Sequence, residues 1–281
     1  MKKRITKFLT PALLAFASLA LFASSAKAYT YSDGDLFLGF YDPTGNSTKD
    51  YLLYIGNYSN YTTNGGAFTG SSFSLNTGIG IGTAAQINAD LTTAFGAGWF
   101  GTVEWGVVGV QNRNHTNTLF ATDPGATSTS VAWTSDTASN QGVTGLDISN
   151  LGAVFASNGR GGATAANGSI QLNTKSGSYY DYSPLGTVST GASFDNFTGG
   201  IDSTSSSAYL TELIATDASA HGTALGANGS DIVTGQFTLG SDGSINYITT
   251  AAVPEPSTYA MAGLGAVFLV MAARRRQMQK A

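Results

Sequence analysis

The residues able to do chemistry in this chain are few and scattered. Its two histidines, His115 and His221, lie far apart, each among Asn, Thr, Gly and Ala. A zinc centre or a histidine-based triad needs partners at ligand or hydrogen-bond distance, and neither neighbourhood supplies them. Cysteine is absent, which excludes a disulfide framework, a zinc-thiolate site and a thiol nucleophile. No G-x-S-x-G elbow, H-E-x-x-H pair or P-loop occurs. Gly78-Ile79-Gly80-Ile81-Gly82 begins like a dinucleotide loop, but Thr83 stands where the third glycine belongs, so it reads as a glycine-rich strand end.

Carboxylates offer two further chemistries. Glu104 and Glu212 are the only glutamates of residues 29–250, and a pair of acids across a cleft can hydrolyse glycosides. Each lies in a strand-like run, with nothing local to bring them together. Asp33-Gly34-Asp35, helped by Asp42 or Asp50, offers oxygens to calcium, yet the full D-x-[DN]-x-[DN]-G loop with its distal Glu is missing. A solvated turn accounts for it. Two tyrosine groups, Tyr51, Tyr54, Tyr58, Tyr61 and Tyr179, Tyr180, Tyr182, sit among Asn, Ser and Thr. Such rings stack on sugars and hydrogen-bond them, and they are equally ordinary on a sheet. No catalytic, cofactor-binding or metal-ligating residue is predicted.

The elements that would position these groups are mostly strands. Aromatic and aliphatic runs at 35–41 and 50–55 are bounded by turn residues, 72–76 alternates with period two, and 102–110 reads as a buried strand. Residues 117–121, 130–133 and 209–215 are shorter candidates. Residues 231–239 and 244–249 flank Gly240-Ser241-Asp242-Gly243 as a hairpin. Thr83 to Gln86 fits a capping box ahead of Ile87, Leu91 and Phe95, with Gly96 as a stop. Val143, Leu146, Leu151, Val154 and Phe155 form a weaker helical stripe, interrupted by Gly145 and Gly152. Residues 156–208 are Gly-, Ser- and Thr-rich and read as long loops or weak strands. The fold class expected is mainly β, a sandwich or jelly-roll-like domain with one or two short helices and a single C-terminal transmembrane helix; α+β is the alternative.

Charge separates the middle from the ends. Four bases, Lys49, Arg113, Arg160 and Lys175, face sixteen acids in residues 29–250, a net charge of −12 against −4 for the whole chain. Such a domain repels phosphate backbones, so no nucleic-acid partner is expected. Lys2, Lys3, Arg4 and Lys7 precede an apolar stretch from Phe8 to Phe22, and Ala26-Lys27-Ala28 fits the A-x-A cleavage pattern. Residues 1–28 therefore read as a signal peptide, cut after Ala28 with Ala26 at the other small position. The stretch falls short of the ~20 residues that span a bilayer.

At the other end, Val253-Pro254-Glu255-Pro256-Ser257 is non-helical because proline disfavours helix in the residue before it. Tyr259 to Ala273 carries no charge, and Arg274, Arg275 and Arg276 follow at once. A helix from Ser257 to Ala273 would be ~26 Å long, at the short edge of a spanning segment. The arginines would hold its end in the cytoplasm and leave the middle outside.

This order of Pro254-Glu255-Pro256-Ser257, apolar helix and Arg274 to Arg276 resembles the PEP-CTERM sorting signal. Gly34 to Phe40, Phe95 to Trp99, Trp105 to Gly109 and Gly235 to Leu239 resemble runs in other proteins bearing that signal, and this likeness implies no activity. The resemblance implies a signal peptide at 1–28, an exported β-rich domain at 29–250 and a sorting tail at 251–281. It implies handling by export machinery and signal peptidase, transient anchoring in the inner membrane of a Gram-negative bacterium by the C-terminal helix, and processing by an exosortase-type transpeptidase. The expected role is a non-catalytic surface or matrix component. Binding to matrix exopolysaccharide is the alternative, and a secreted hydrolase a more distant one. No cofactor is expected.

Overall fold

The computed structural model describes residues 29–61, 73–111, 118–127, 137–172, 179, 203–216 and 231–249. Nine strands are formed: β1 (Asp35–Tyr41), β2 (Lys49–Asn57), β3 (Phe73–Ser74), β4 (Glu104–Gln111), β5 (Thr118–Asp123), β6 (Gly168–Leu172), β7 (Ser207–Ile214), β8 (Asp231–Leu239) and β9 (Ile245–Thr249). Among the described residues three helices accompany them: α1 (Leu75–Gly78), α2 (Ala84–Phe95) and α3 (Ala138–Asn158). The strands make one antiparallel sheet in the order β3-β9-β8-β7-β5-β4-β1-β2-β6.

Alternation along the strands divides this sheet into two faces. Leu36, Leu38 and Phe40 of β1, Tyr51, Leu53 and Ile55 of β2, and Trp105 and Val107 of β4 join one core with Ile87 and Leu91 of α2. This is the inner face. Phe37 points the other way, its ring 5.5 Å from Phe155 of α3 and 6.2 Å from Tyr31. Every residue of β1 is buried because both of its faces are covered. That is why its sequence is a continuous apolar run rather than an alternating one.

The sheet closes on itself. Tyr61, just past β2, packs edge-on to Tyr247 of β9 at 4.9 Å and lies 5.5 Å from Phe237 of β8. In a flat sheet the six strand spacings from β2 to β9 would separate them by ~29 Å. The inner face is therefore concave and wraps α2, whose neighbours include both β2 and the β8–β9 turn. Asp90 of α2 accepts from Tyr51 at 3.1 Å, and any Cβ on Gly243 would strike the backbone of Ala84 and Asn88.

Several expectations hold. The capping box is present, with Gln86 N donating to Thr83 Oγ1 at 3.2 Å and Thr83 N donating to Gln86 Oε1 at 2.9 Å. The β8–β9 hairpin turns through Gly243 at φ 82°. Others are corrected. The described strands form a single curled sheet, not the two stacked sheets of a sandwich, because tyrosine and phenylalanine contacts draw its far ends together. The second helix is 21 residues, not short. Its Gly152 is required because the Tyr31 ring occupies the space of a Cβ. Within 156–208, read as long loops or weak strands, the short strand β6 pairs with β2, and its outer side is covered where Ile170 N donates to the Arg160 carbonyl at 3.1 Å. A covered edge does not template aggregation. The candidate strand at 130–133 lies outside the described residues, as does the expected transmembrane helix. Among the described residues no helix is long and apolar enough to cross a membrane.

Candidate functional site

The sequence-derived candidates disperse in the fold. Glu104 lies on the outer face, where it accepts a hydrogen bond from Tyr41, while Glu212 pairs across from Phe120 on the inner face. The two glutamates therefore stand on opposite sides of one sheet and cannot flank a common substrate. Asp35 is buried at the start of β1, accepting from Ser32 N at 2.7 Å and from Tyr54 at 3.1 Å. Asp42 follows the other end of that strand, ~20 Å away by strand rise. It caps its own turn by accepting from Thr44 N and Ser47 N at 2.9 Å each. The proposed calcium helpers are thus remote from Asp33-Gly34-Asp35. Among the described residues no three Asp, Glu or His side chains gather at one point.

The tyrosines are mostly structural. Tyr51, Tyr61 and Tyr179 are buried, Tyr179 filling the space above Gly39. Tyr54 is half-buried and donates to Asp35. The ring of Tyr58 stacks on Phe120 at 4.8 Å and 22°. Tyr180, Tyr182, His115, His221, Ala26, Ala28, Pro254, Glu255, Pro256, Ser257, Arg274, Arg275 and Arg276 lie outside the described residues.

One polar group on the inner face is not consumed by the fold. Gln111 of β4 sits directly opposite Thr118 of β5, and Glu212 of β7 sits opposite Phe120, two residues further along β5. Gln111 Oε1, Thr118 Oγ1 and Glu212 Oε1 are all buried without a hydrogen-bond partner. Thr118 is 0 % exposed and Glu212 3 %. Burial alone pushes the Glu212 carboxyl up to about 7. Its charge in turn helps raise the Tyr58 phenol, after burial itself, and Asp33 adds to the effect. Gly34 N donates to the Val110 carbonyl and Tyr58 N to the Gly34 carbonyl, each at 2.8 Å. These bonds seat Tyr58 and Asp33 at the rim beside Gln111. Glu212 was visible in sequence as a carboxyl inside the apolar run Tyr209 to Ile214. Gln111 and Thr118 were not, since only the register brings them together.

By contrast, Asp90 is fully used. Its carboxylate accepts from Tyr51, from Thr164 N at 2.6 Å, from Thr164 Oγ1 at 2.8 Å and from Ala165 N at 2.9 Å. It pins the loop before β6 onto α2, a structural role.

Comparison with protein-family models bears on the C-terminal residues. Residues 252–276 match the model of the PEP-CTERM protein-sorting motif. The chain carries a PEP-CTERM sorting motif. The match begins three residues after β9 ends at Thr249 and includes Pro254 through Arg276. A motif of this class implies export, membrane-anchored processing and recognition by exosortase-type machinery. No curated protein and no solved structure matches the chain.

Proposed function

We propose that this protein is exported, held briefly in the inner membrane by its tail with Arg274, Arg275 and Arg276 on the cytoplasmic side, and released by an exosortase-type transpeptidase to the cell surface or extracellular matrix. There it serves as a non-catalytic structural or interaction component, with exopolysaccharide the matrix it meets. The observation that carries the reading is the sorting motif at 252–276, directly behind the last strand of the sheet. Further support comes from the fold's use of its aromatic and acidic side chains. Tyr51, Tyr61 and Tyr179 pack in the core, and the two glutamates that would serve a hydrolase lie on opposite faces.

The test is mass spectrometry of the protein recovered from a host that makes exosortase-type enzymes. Mature molecules should begin at Tyr29 and lack Arg274 to Arg276. Recovery from the cytosol with Met1 attached, or retention of the arginines in every surface molecule, would overturn the reading. Turnover of a substrate by the purified chain, abolished by one side-chain change, would overturn the non-catalytic role.

A further inference from the structure

We infer that Gln111, Thr118 and Glu212 form a site for a hard divalent cation, calcium, on the concave face of the sheet. Three neighbouring strands present one oxygen each: an amide carbonyl, a hydroxyl and a carboxylate. All three oxygens are buried and unpartnered. Buried polar atoms in folded proteins are satisfied almost without exception, and leaving one unsatisfied is costly. Gln111 and Thr118 stand opposite each other and Glu212 lies one diagonal step beyond Thr118 on the same face, so one ligand offering positive charge or donors would satisfy all three.

Charge selects among such ligands. The Glu212 carboxyl is raised by desolvation, with no described base among its causes. Of the described bases, Lys49 lies at the opposite end of β2, donating to the Thr93 carbonyl, and Arg160 lies in the turn over β6. Among the described residues, then, no base stands beside the three oxygens. Oxygen-only donors suit calcium, magnesium or manganese rather than thiolate- or imidazole-seeking metals. Calcium tolerates an irregular set of carboxylate, amide and hydroxyl oxygens completed by water, whereas magnesium demands near-octahedral geometry. Asp33 at the rim adds negative potential without entering the set. With a single carboxylate the affinity should be low, ~10⁻⁴–10⁻³ M, the range of extracellular modules.

The purified full-length chain is titrated with Ca²⁺, and separately with Tb³⁺, whose emission a neighbouring tyrosine sensitises. Tyr58 is that tyrosine. The expected results are a saturable rise in Tm with Ca²⁺ and a tyrosine-excited Tb³⁺ signal that Ca²⁺ displaces. E212Q should abolish both. Thr118→Val keeps the shape of a residue whose hydroxyl has no partner, so it folds and weakens binding severalfold. Absence of any calcium effect in the unmodified chain overturns the site, leaving Glu212 a proton-bearing carboxyl only. Binding that survives in both variants also overturns it, by assigning the cation to surface acids. Neither result touches the sorting of the tail.

Discussion

Tyr247 of β9 donates a hydrogen bond to the main-chain carbonyl of Tyr61, just beyond β2, at 3.1 Å. Five strands stand between these two in the sheet order, so this contact closes the curl. The same phenol meets Thr234 Oγ1 at 3.1 Å, and Tyr61 itself donates to the Ile55 carbonyl. A buried chain of polar contacts thus runs across the seam.

Tyr247→Phe keeps the ring packing and removes the bridge. Unfolding in urea should show a loss of about 1–2 kcal/mol, the cost of leaving a buried carbonyl without its donor. An unchanged midpoint would mean that ring packing alone holds the seam.

Asp90→Ala strips the acceptor from Tyr51 and from the backbone of Thr164 and Ala165. The expected loss is about 3 kcal/mol or more, because several buried donors lose their partner together. Asp90→Asn should recover little, since both carboxylate oxygens face donors and an amide nitrogen would oppose one of them. Thr164→Ala, which removes only the hydroxyl's contacts with Asp90 and the Gln86 carbonyl, should cost about 1 kcal/mol.

Gly39→Ala would drive a methyl group into the Tyr179 ring. Overpacking of this kind costs about 1–3 kcal/mol. If Tyr179 is the obstacle, the double variant with Tyr179→Ala should be less destabilised than the sum of the single ones. Strict additivity would show that the clash lies elsewhere.

Without added calcium, stability should fall as pH rises between about 4.5 and about 7. The folded chain keeps a proton on Glu212 up to about 7, whereas the ordinary carboxyl value is 4.5. The contribution is whole below about 4.5 and gone above about 7, a change on the order of 3 kcal/mol. Tyr58 and Tyr247 stay neutral through this window because both phenols are raised. E212Q should flatten this part of the stability curve. An identical slope in that variant would assign it to other carboxyls. Saturating calcium should also flatten it, by holding the carboxylate ionised in the folded state.

The sorting tail, the capped helix at 84–95 and the hairpin at 231–249 were legible from residues in order. Each depends on neighbours within a few positions: a proline's restriction on the residue before it, a cap reaching three residues on, a turn needing glycine. Strand positions were legible too, because β-rich runs are bounded by turn residues. β6 was legible only as a weak strand or loop within 156–208, because a five-residue strand starting at Gly168 in a polar region signals weakly until β2 pairs with it. The choice between one curled sheet and two stacked ones depended on Tyr61 meeting Tyr247 across 185 intervening residues. Which face each carboxyl occupies was likewise decided by pairing register, since a shift of one residue inverts every side chain of a strand. Local sequence determined the elements and the address. Only the pairing of β4, β5 and β7 placed Gln111, Thr118 and Glu212 on one face and set Glu104 on the other, because proximity across strands is a property of the packed whole.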